Sequence, residues 1–129
     1  MMKRSLSSHL RLVADDLALT NPTISSDEFI KFFSRCEVWN FEWGLIMAEK
    51  DDMHIHILSK YRKKVFLRKT LRMVANIMFD RYKTIKTSVL KPKLKSLEFN
   101  LKIGWKLINE TPERWFLQMN KEDFKYGKG

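Results

Sequence analysis

The chain has 129 residues, 44% of them apolar, and a formal charge of +10. That length fits one domain, and that apolar share is enough for a core, which excludes a disordered chain. A single cysteine, Cys36, excludes an internal disulfide and suits a reducing compartment.

No stretch approaches the ~20 apolar residues that a membrane span needs. Met1-Met2-Lys3-Arg4-Ser5 also lacks the apolar run of a signal peptide. The expectation is a protein that is not secreted and has no membrane span.

Leu6, Leu10, Val13 and Leu17 recur at helical spacing and predict a first helix. Asn21-Pro22 stops it, because the residue before proline avoids helical angles. Ser25-Ser26-Asp27-Glu28 then reads as a helix start. A serine oxygen caps free amides there, and the acids suit the positive end of the dipole. Phe29, Phe32 and Phe33 make the buried face. The segment from Val38 to Ala48 is rich in aromatic and β-branched residues. It reads as one strand, with Trp39, Phe41 and Trp43 on one side and Glu42 opposite. Glu49-Lys50-Asp51-Asp52 is a turn. Met53 to Leu58 alternates as a half-buried strand and pairs antiparallel with the one before.

Ser59 caps the next turn, and Tyr61-Arg62-Lys63-Lys64 opens a basic stretch. Leu67, Leu71, Val74 and Met78 form one helical stripe, with Arg68, Lys69, Arg72 and Arg81 off it. Ile85 to Leu90 is a strand. Pro92 suits the first turn of a short helix whose buried stripe is Leu94, Leu97 and Leu101. Gly104 ends that helix. Trp105 to Ile108 and Trp115 to Met119 form a hairpin through Glu110-Thr111-Pro112-Glu113. The tail from Lys121 is polar and frays. With no repeat and no linker, residues 1–129 read as one α+β domain. Residues 1–35 are its helical part, 36–119 its sheet core and 120–129 its tail.

Chemistry-bearing residues are few. His54 and His56 share one strand face, a spacing that suits acid/base work or metal binding. A metal needs further ligands, and His9, Cys36, Asp51 and Asp52 have no convincing spacing, so no metal is expected. Glu42, amid Trp39, Phe41 and Trp43, is a further candidate for taking a proton through water. The basic run from Lys60 to Arg72 suits a phosphate-bearing cofactor, nucleic acid or a solvated helix face. No base-reading motif accompanies it. Trp39, Trp43, Trp105 and Trp115 are many large rings for so small a domain. At least one of Trp39, Trp43 and Trp115 is expected on an exposed or partner-covered patch.

The order of strand, basic turn, helix, strand, short helix and Gly104-Trp105 resembles the core of the GCN5-related N-acetyltransferase superfamily. The resemblance covers roughly residues 36–119. It implies a mixed, twisted sheet flanked by helices, with Met53–Leu58 and Ile85–Leu90 adjacent and parallel. The stretch before Cys36 is short for the family's opening strand and two helices, which implies that the strand is absent. The resemblance also implies an acetyl-CoA site at Leu58, Arg62, Lys63, Lys64, Val65, Phe66, Leu67, Arg68 and Asn100. In the family, the turn carries Arg/Gln-x-x-Gly-x-Gly/Ala, whose glycines let the backbone approach the pyrophosphate. Arg62 matches the first position, but the glycine positions hold Val65 and Leu67. A later Tyr, four residues before a Gly-aromatic pair, protonates the leaving thiolate in the family. Asn100 stands there, Lys93 replaces an Asn and Ser96 matches a small residue.

Degenerate members of the family occur among small phage proteins, including an internal virion protein of short-tailed phages. The expectation is therefore a phage-encoded protein with weak acetyl-CoA binding. It would have lost most of its catalysis, lie in the host cytoplasm or the virion, bind a virion or host protein partner, and be able to form an oligomer. The alternatives are an active acetyl-CoA-dependent N-acetyltransferase and a basic nucleic-acid-binding module.

Overall fold

Two serines start the first two helices. The computed structural model describes residues 4–61, 68–91 and 93–124. In it, Ser5 Oγ accepts from the Ser8 amide at 3.2 Å, and α1 runs Leu6–Thr20. Before α2 (Ser26–Ser34), Ser25 Oγ accepts from the Glu28 amide while the Glu28 carboxylate accepts from the Ser25 amide. This reciprocal box is the one the sequence signals, and such a cap contributes about 1 kcal/mol.

Six strands follow: β1 (Glu37–Phe41), β2 (Gly44–Glu49), β3 (Asp52–Ile57), β4 (Thr84–Leu90), β5 (Lys106–Glu110) and β6 (Arg114–Asn120). Two more helices, α3 (Arg68–Arg81) and α4 (Leu94–Lys102), flank β4 in sequence. The strands form one mixed sheet in the order β1-β2-β3-β4-β6-β5. The chain is thus an α+β domain, as its sequence pattern predicts. Among residues 4–36 the elements are the two helices, with no strand before β1.

The described residues group into two compact units, one within 1–50 and 54–65, the other within 51–53 and 66–129. In the first, Val13, Ala14, Phe33, Leu45, Met47 and Leu58 form a buried cluster. Leu10, Leu17, Phe29 and Phe32 pack on it partly buried, and half-buried Cys36 lies there too. The helical stripes read from sequence therefore face this core, except Leu6, which is 54% exposed at the start of α1.

In the second unit, β4 joins the start of β3 in parallel, with Asp52 opposite Lys86 and the Lys86 amide donating to the Asp51 carbonyl at 2.8 Å. The expected parallel neighbours are thus adjacent. β6 runs antiparallel to β4 from Thr84↔Asn120 to Leu90↔Arg114. β5 pairs antiparallel with β6 with a bulge at Ile108. Leu71, Val74 and Met78 of the α3 stripe are buried, as are Ile85, Val89, Leu117 and Met119 of the strands.

Three expectations are corrected. Val38 to Ala48 is not one strand: Glu42 and Trp43 form the tight turn of a hairpin with Phe41 opposite Gly44. Gly44 makes the reversal feasible, because its φ is +149°, where side chains are rarely tolerated. Trp43 therefore does not continue the strand alternation. It stacks on Phe41 with centroids 4.9 Å apart.

The expected stripe on α4 is only partly buried: Leu97 is 8% exposed, but Leu94 and Leu101 are 54% and 41% exposed. The spacing sets the three on one face of α4, but only the middle of that face, at Leu97, is covered. The tail does not fray from Lys121: a 3₁₀ turn spans Lys121–Asp123, and Phe124 is buried against Phe79. Gly104 receives this segment, since a Cβ there would lie 2.3 Å from the Asp123 carbonyl oxygen.

A Cβ on Gly44 would lie 2.0 Å from the His56 carbonyl oxygen. Backbone atoms on both sides cannot yield cheaply. Gly44→Ala is expected to destabilise the protein by about 3 kcal/mol or more. Urea unfolding of the two proteins measures it, and a loss below about 1 kcal/mol would contradict this packing.

Candidate functional site

A hydrogen-bonded polar constellation lies where β3 ends. The Leu58 amide donates to the Trp43 carbonyl at 2.8 Å, and the Tyr61 amide donates to the Leu58 carbonyl at 2.8 Å. The chain thus turns sharply into the 3₁₀ segment Ser59–Tyr61. Leu58 itself is 2% exposed and belongs to the core cluster.

Asp16 of α1 organises this turn. Its Oδ2 accepts from His56 Nε2 at 2.7 Å and from the Ser59 amide at 3.3 Å. Its Oδ1 accepts from the Ser59 hydroxyl at 2.8 Å. Ser59 therefore donates to a helix carboxylate. Burial alone would raise the Asp16 carboxyl. The Ser59 hydroxyl and the His56 hydrogen bond and charge outweigh it, and hold it below its ordinary 3.8.

His56 is 7% exposed and its ring is set by Asp16. His54 is half-buried on the same strand. Glu42 does not sit on a strand face: it lies in the hairpin turn, where its Oε1 meets Arg4 Nη2 at 3.1 Å. Arg4 Nη1 also donates to the Glu42 carbonyl at 3.2 Å. The structure therefore joins His56 to Asp16 and Glu42 to Arg4.

A second histidine, His9, is 0% exposed on α1. Arg4 Nη1 lies 2.8 Å from its Nδ1, and its Nε2 lies 2.8 Å from the Gly44 carbonyl oxygen. Arginine has donors only, so Nδ1 accepts and Nε2 carries the proton. No group of three or more His, Cys, Asp or Glu able to hold a metal occurs among the described residues.

Of the expected cofactor residues, Arg62, Lys63, Lys64, Val65, Phe66 and Leu67 lie outside the described residues. Arg68 is the first residue of α3. Asn100 is half-buried on α4, and its carbonyl accepts from the Trp105 amide at 3.0 Å. Trp105 is 4% exposed, whereas Trp39, Trp43 and Trp115 are each half-buried. Lys91 lies 5.6 Å from the centroid of the Trp115 ring.

Sequence reasoning missed Asp16 and the structural part of His9, and it read Ser59 as a cap of the turn without its bond to Asp16. A signal existed: Asp16 follows Val13 by three residues and His9 by seven, so all three share the inner face of α1. An acid on an apolar stripe asks for a partner.

No protein-family model matches the chain, and no curated protein matches it in sequence. Solved structures do match in fold. The spermidine N-acetyltransferase from Vibrio cholerae in complex with CoA and spermine superposes with a TM-score of 0.70 at 13% identity, over 95% of this chain and 96% of that one. PH1933 from Pyrococcus horikoshii OT3 gives a TM-score of 0.71 at 14% identity, over 93% of this chain and 95% of that one. The PaiA N-acetyltransferase from Thermoplasma acidophilum in complex with coenzyme A gives 0.58 at 10% identity, over 93% and 95%. The fold is therefore that of the N-acetyltransferases. Among the described residues, no helix is long and apolar enough to cross a membrane.

Asp16→Ala removes three hydrogen bonds at one point and is expected to destabilise the protein by about 2–3 kcal/mol at neutral pH. The Asp16 carboxyl is depressed in the folded state, so its contribution is full above pH 3.8 and is lost as pH falls below that value. The stability gap between wild type and variant, followed by urea unfolding, should close in acid. A gap that persists unchanged at pH 3 would contradict the carboxylate's role.

Proposed function

We propose that this acetyltransferase-fold chain is a phage-encoded virion or accessory protein that works by binding and has lost most of its catalysis. The observation that carries this is Asn100. The resemblance places a proton-donating Tyr at this position, and an amide cannot act as a general acid. The donor set for a cofactor agrees. By sequence, Val65 and Leu67 stand where the resemblance has the glycines that let a pyrophosphate come close. Lys63, Lys64 and Arg68 attract phosphate, but charge does not restore space.

Two of the structural neighbours are described with CoA bound. That supports an acetyl-CoA contact here, of a weak and salt-screened kind. Half-buried Trp39, Trp43 and Trp115 supply anchors for a protein partner, since large rings commonly dominate interfaces.

One observation favours a second reading, an active acetyl-CoA-dependent N-acetyltransferase. His56 is held by the Asp16 carboxylate at 2.7 Å, an arrangement that orients a ring and stabilises its charged form. In that reading His56 takes the proton of the acceptor amine.

Calorimetry with acetyl-CoA separates the two. The binding-protein reading expects a Kd on the order of 1 mM or weaker, fading as salt rises. Micromolar affinity at ~0.15 M ionic strength would overturn it. Amine acetylation that falls about 100-fold in His56→Gln would then establish the enzyme.

A further inference from the structure

We propose that α1 is fastened by two histidine latches of opposite proton sense, and that proton uptake by His9 opens the N-terminal latch while the Asp16–His56 latch stays closed. This reading is independent of any acetyltransferase activity.

His9, Val13 and Asp16 stand at i, i+4 and i+7, along one face of α1. Val13 is 0% exposed in the core between them. At the first latch, His9 Nε2 donates to the Gly44 carbonyl and Nδ1 accepts from Arg4. Both ring nitrogens are committed, one as donor and one as acceptor. A second proton turns Nδ1 into a donor aimed at a guanidinium. It removes one hydrogen bond and sets a positive charge on a fully buried ring beside the half-buried Arg4 guanidinium.

The charged groups facing His9 are Arg4, just before α1, and Glu42, from the β1–β2 turn. Gly44 contributes only its carbonyl. Glu42 favours a cation, but Arg4 already holds its carboxylate at 3.1 Å. Burial first, then Arg4, depresses the His9 ring below its ordinary 6.5, against the Gly44 bond and Glu42.

The second latch responds the other way. His56 Nε2 donates to Asp16 in either protonation state, and a charge on the ring adds attraction to the carboxylate. Ser59 brings two neutral donors. Lys60 lies over the Tyr61 ring at 5.3 Å, and Arg11 pairs with Asp27 of α2 at 2.9 Å. Asp16 is depressed below 3.8, so this latch holds until pH falls beneath that value.

The sign follows from linkage. Below pH 6.5 the unfolded or released His9 binds a proton that the latched ring refuses. Between pH 6.5 and 3.8, the first latch weakens and the second does not.

The chain has three histidines, so NMR resolves each ring. In the full chain, His9 should show the Nε2–H neutral form at pH 7.5. Amide exchange in the first two turns of α1, corrected for intrinsic chemistry, should speed up about tenfold per pH unit once acidification passes its onset. The amides from Asp16 to Thr20 should keep their protection. His9→Gln retains a donor for Gly44 and cannot titrate, so it should lose the acceleration. His56→Gln should keep it.

A His9 ring titrating at or above 6.5 would overturn the proposal. So would unchanged exchange at the start of α1, or acceleration at both ends of the helix together. If His9→Gln does not fold, the wild-type ring titration and exchange profile still decide the matter.

Discussion

Gly44 is the point on which the first compact unit turns. Its missing side chain lets the start of β2 lie against the His56 carbonyl. Its positive φ permits the two-residue reversal at Glu42-Trp43. Its own carbonyl accepts the hydrogen bond of buried His9 Nε2. Three contacts that would otherwise be independent are thus routed through one residue with no Cβ. Helix α1, the β1–β2 hairpin and the end of β3 share their placement for this reason. Close packing transmits such a constraint, because there is little void to absorb a shift.

Patterns of local period were legible before any tertiary contact was known. The Leu10-Val13-Leu17 stripe, the Ser25–Glu28 box and the Leu71-Val74-Met78 stripe each depend on neighbours within a turn or two. The β5–β6 hairpin and the parallel β3–β4 pair also followed, the latter through family resemblance rather than periodicity. What failed has physical causes. Glu42 and Trp43 read as strand because their neighbours alternate, yet a glycine after them outweighs alternation when it accepts a backbone angle other residues avoid. Leu94 and Leu101 read as buried because their spacing is helical, but spacing marks a face and does not guarantee a surface to cover it.

The polar site was the least legible part. Asp16 and His56 stand 40 residues apart, and Arg4 and Glu42 stand 38 apart. No short motif spans such distances. His9 and His56 were visible as histidines, but their roles are set by which atom faces each ring. A carboxylate at His56 and a guanidinium at His9 make one imidazole a partner for a charge and the other a refuge from it.

That division separates the residues that build the fold from those that could carry chemistry. The residues that hold the two units are glycines at close approaches, apolar stripes and buried polar pairs. The residues that the resemblance assigns to cofactor and proton transfer form a different set. Gly104 illustrates the separation. It ends α4 at the matched Gly-aromatic pair, with Trp105 buried behind it and Asp123 closing over it. Four residues earlier, Asn100 keeps a backbone role in the same helix end while its side chain offers an amide. That backbone role does not depend on the side chain, so the helix terminus tolerates an amide or a phenol there. Likeness at 13% identity speaks for the fold, and the side chains that set the fold are not the ones that would set its chemistry.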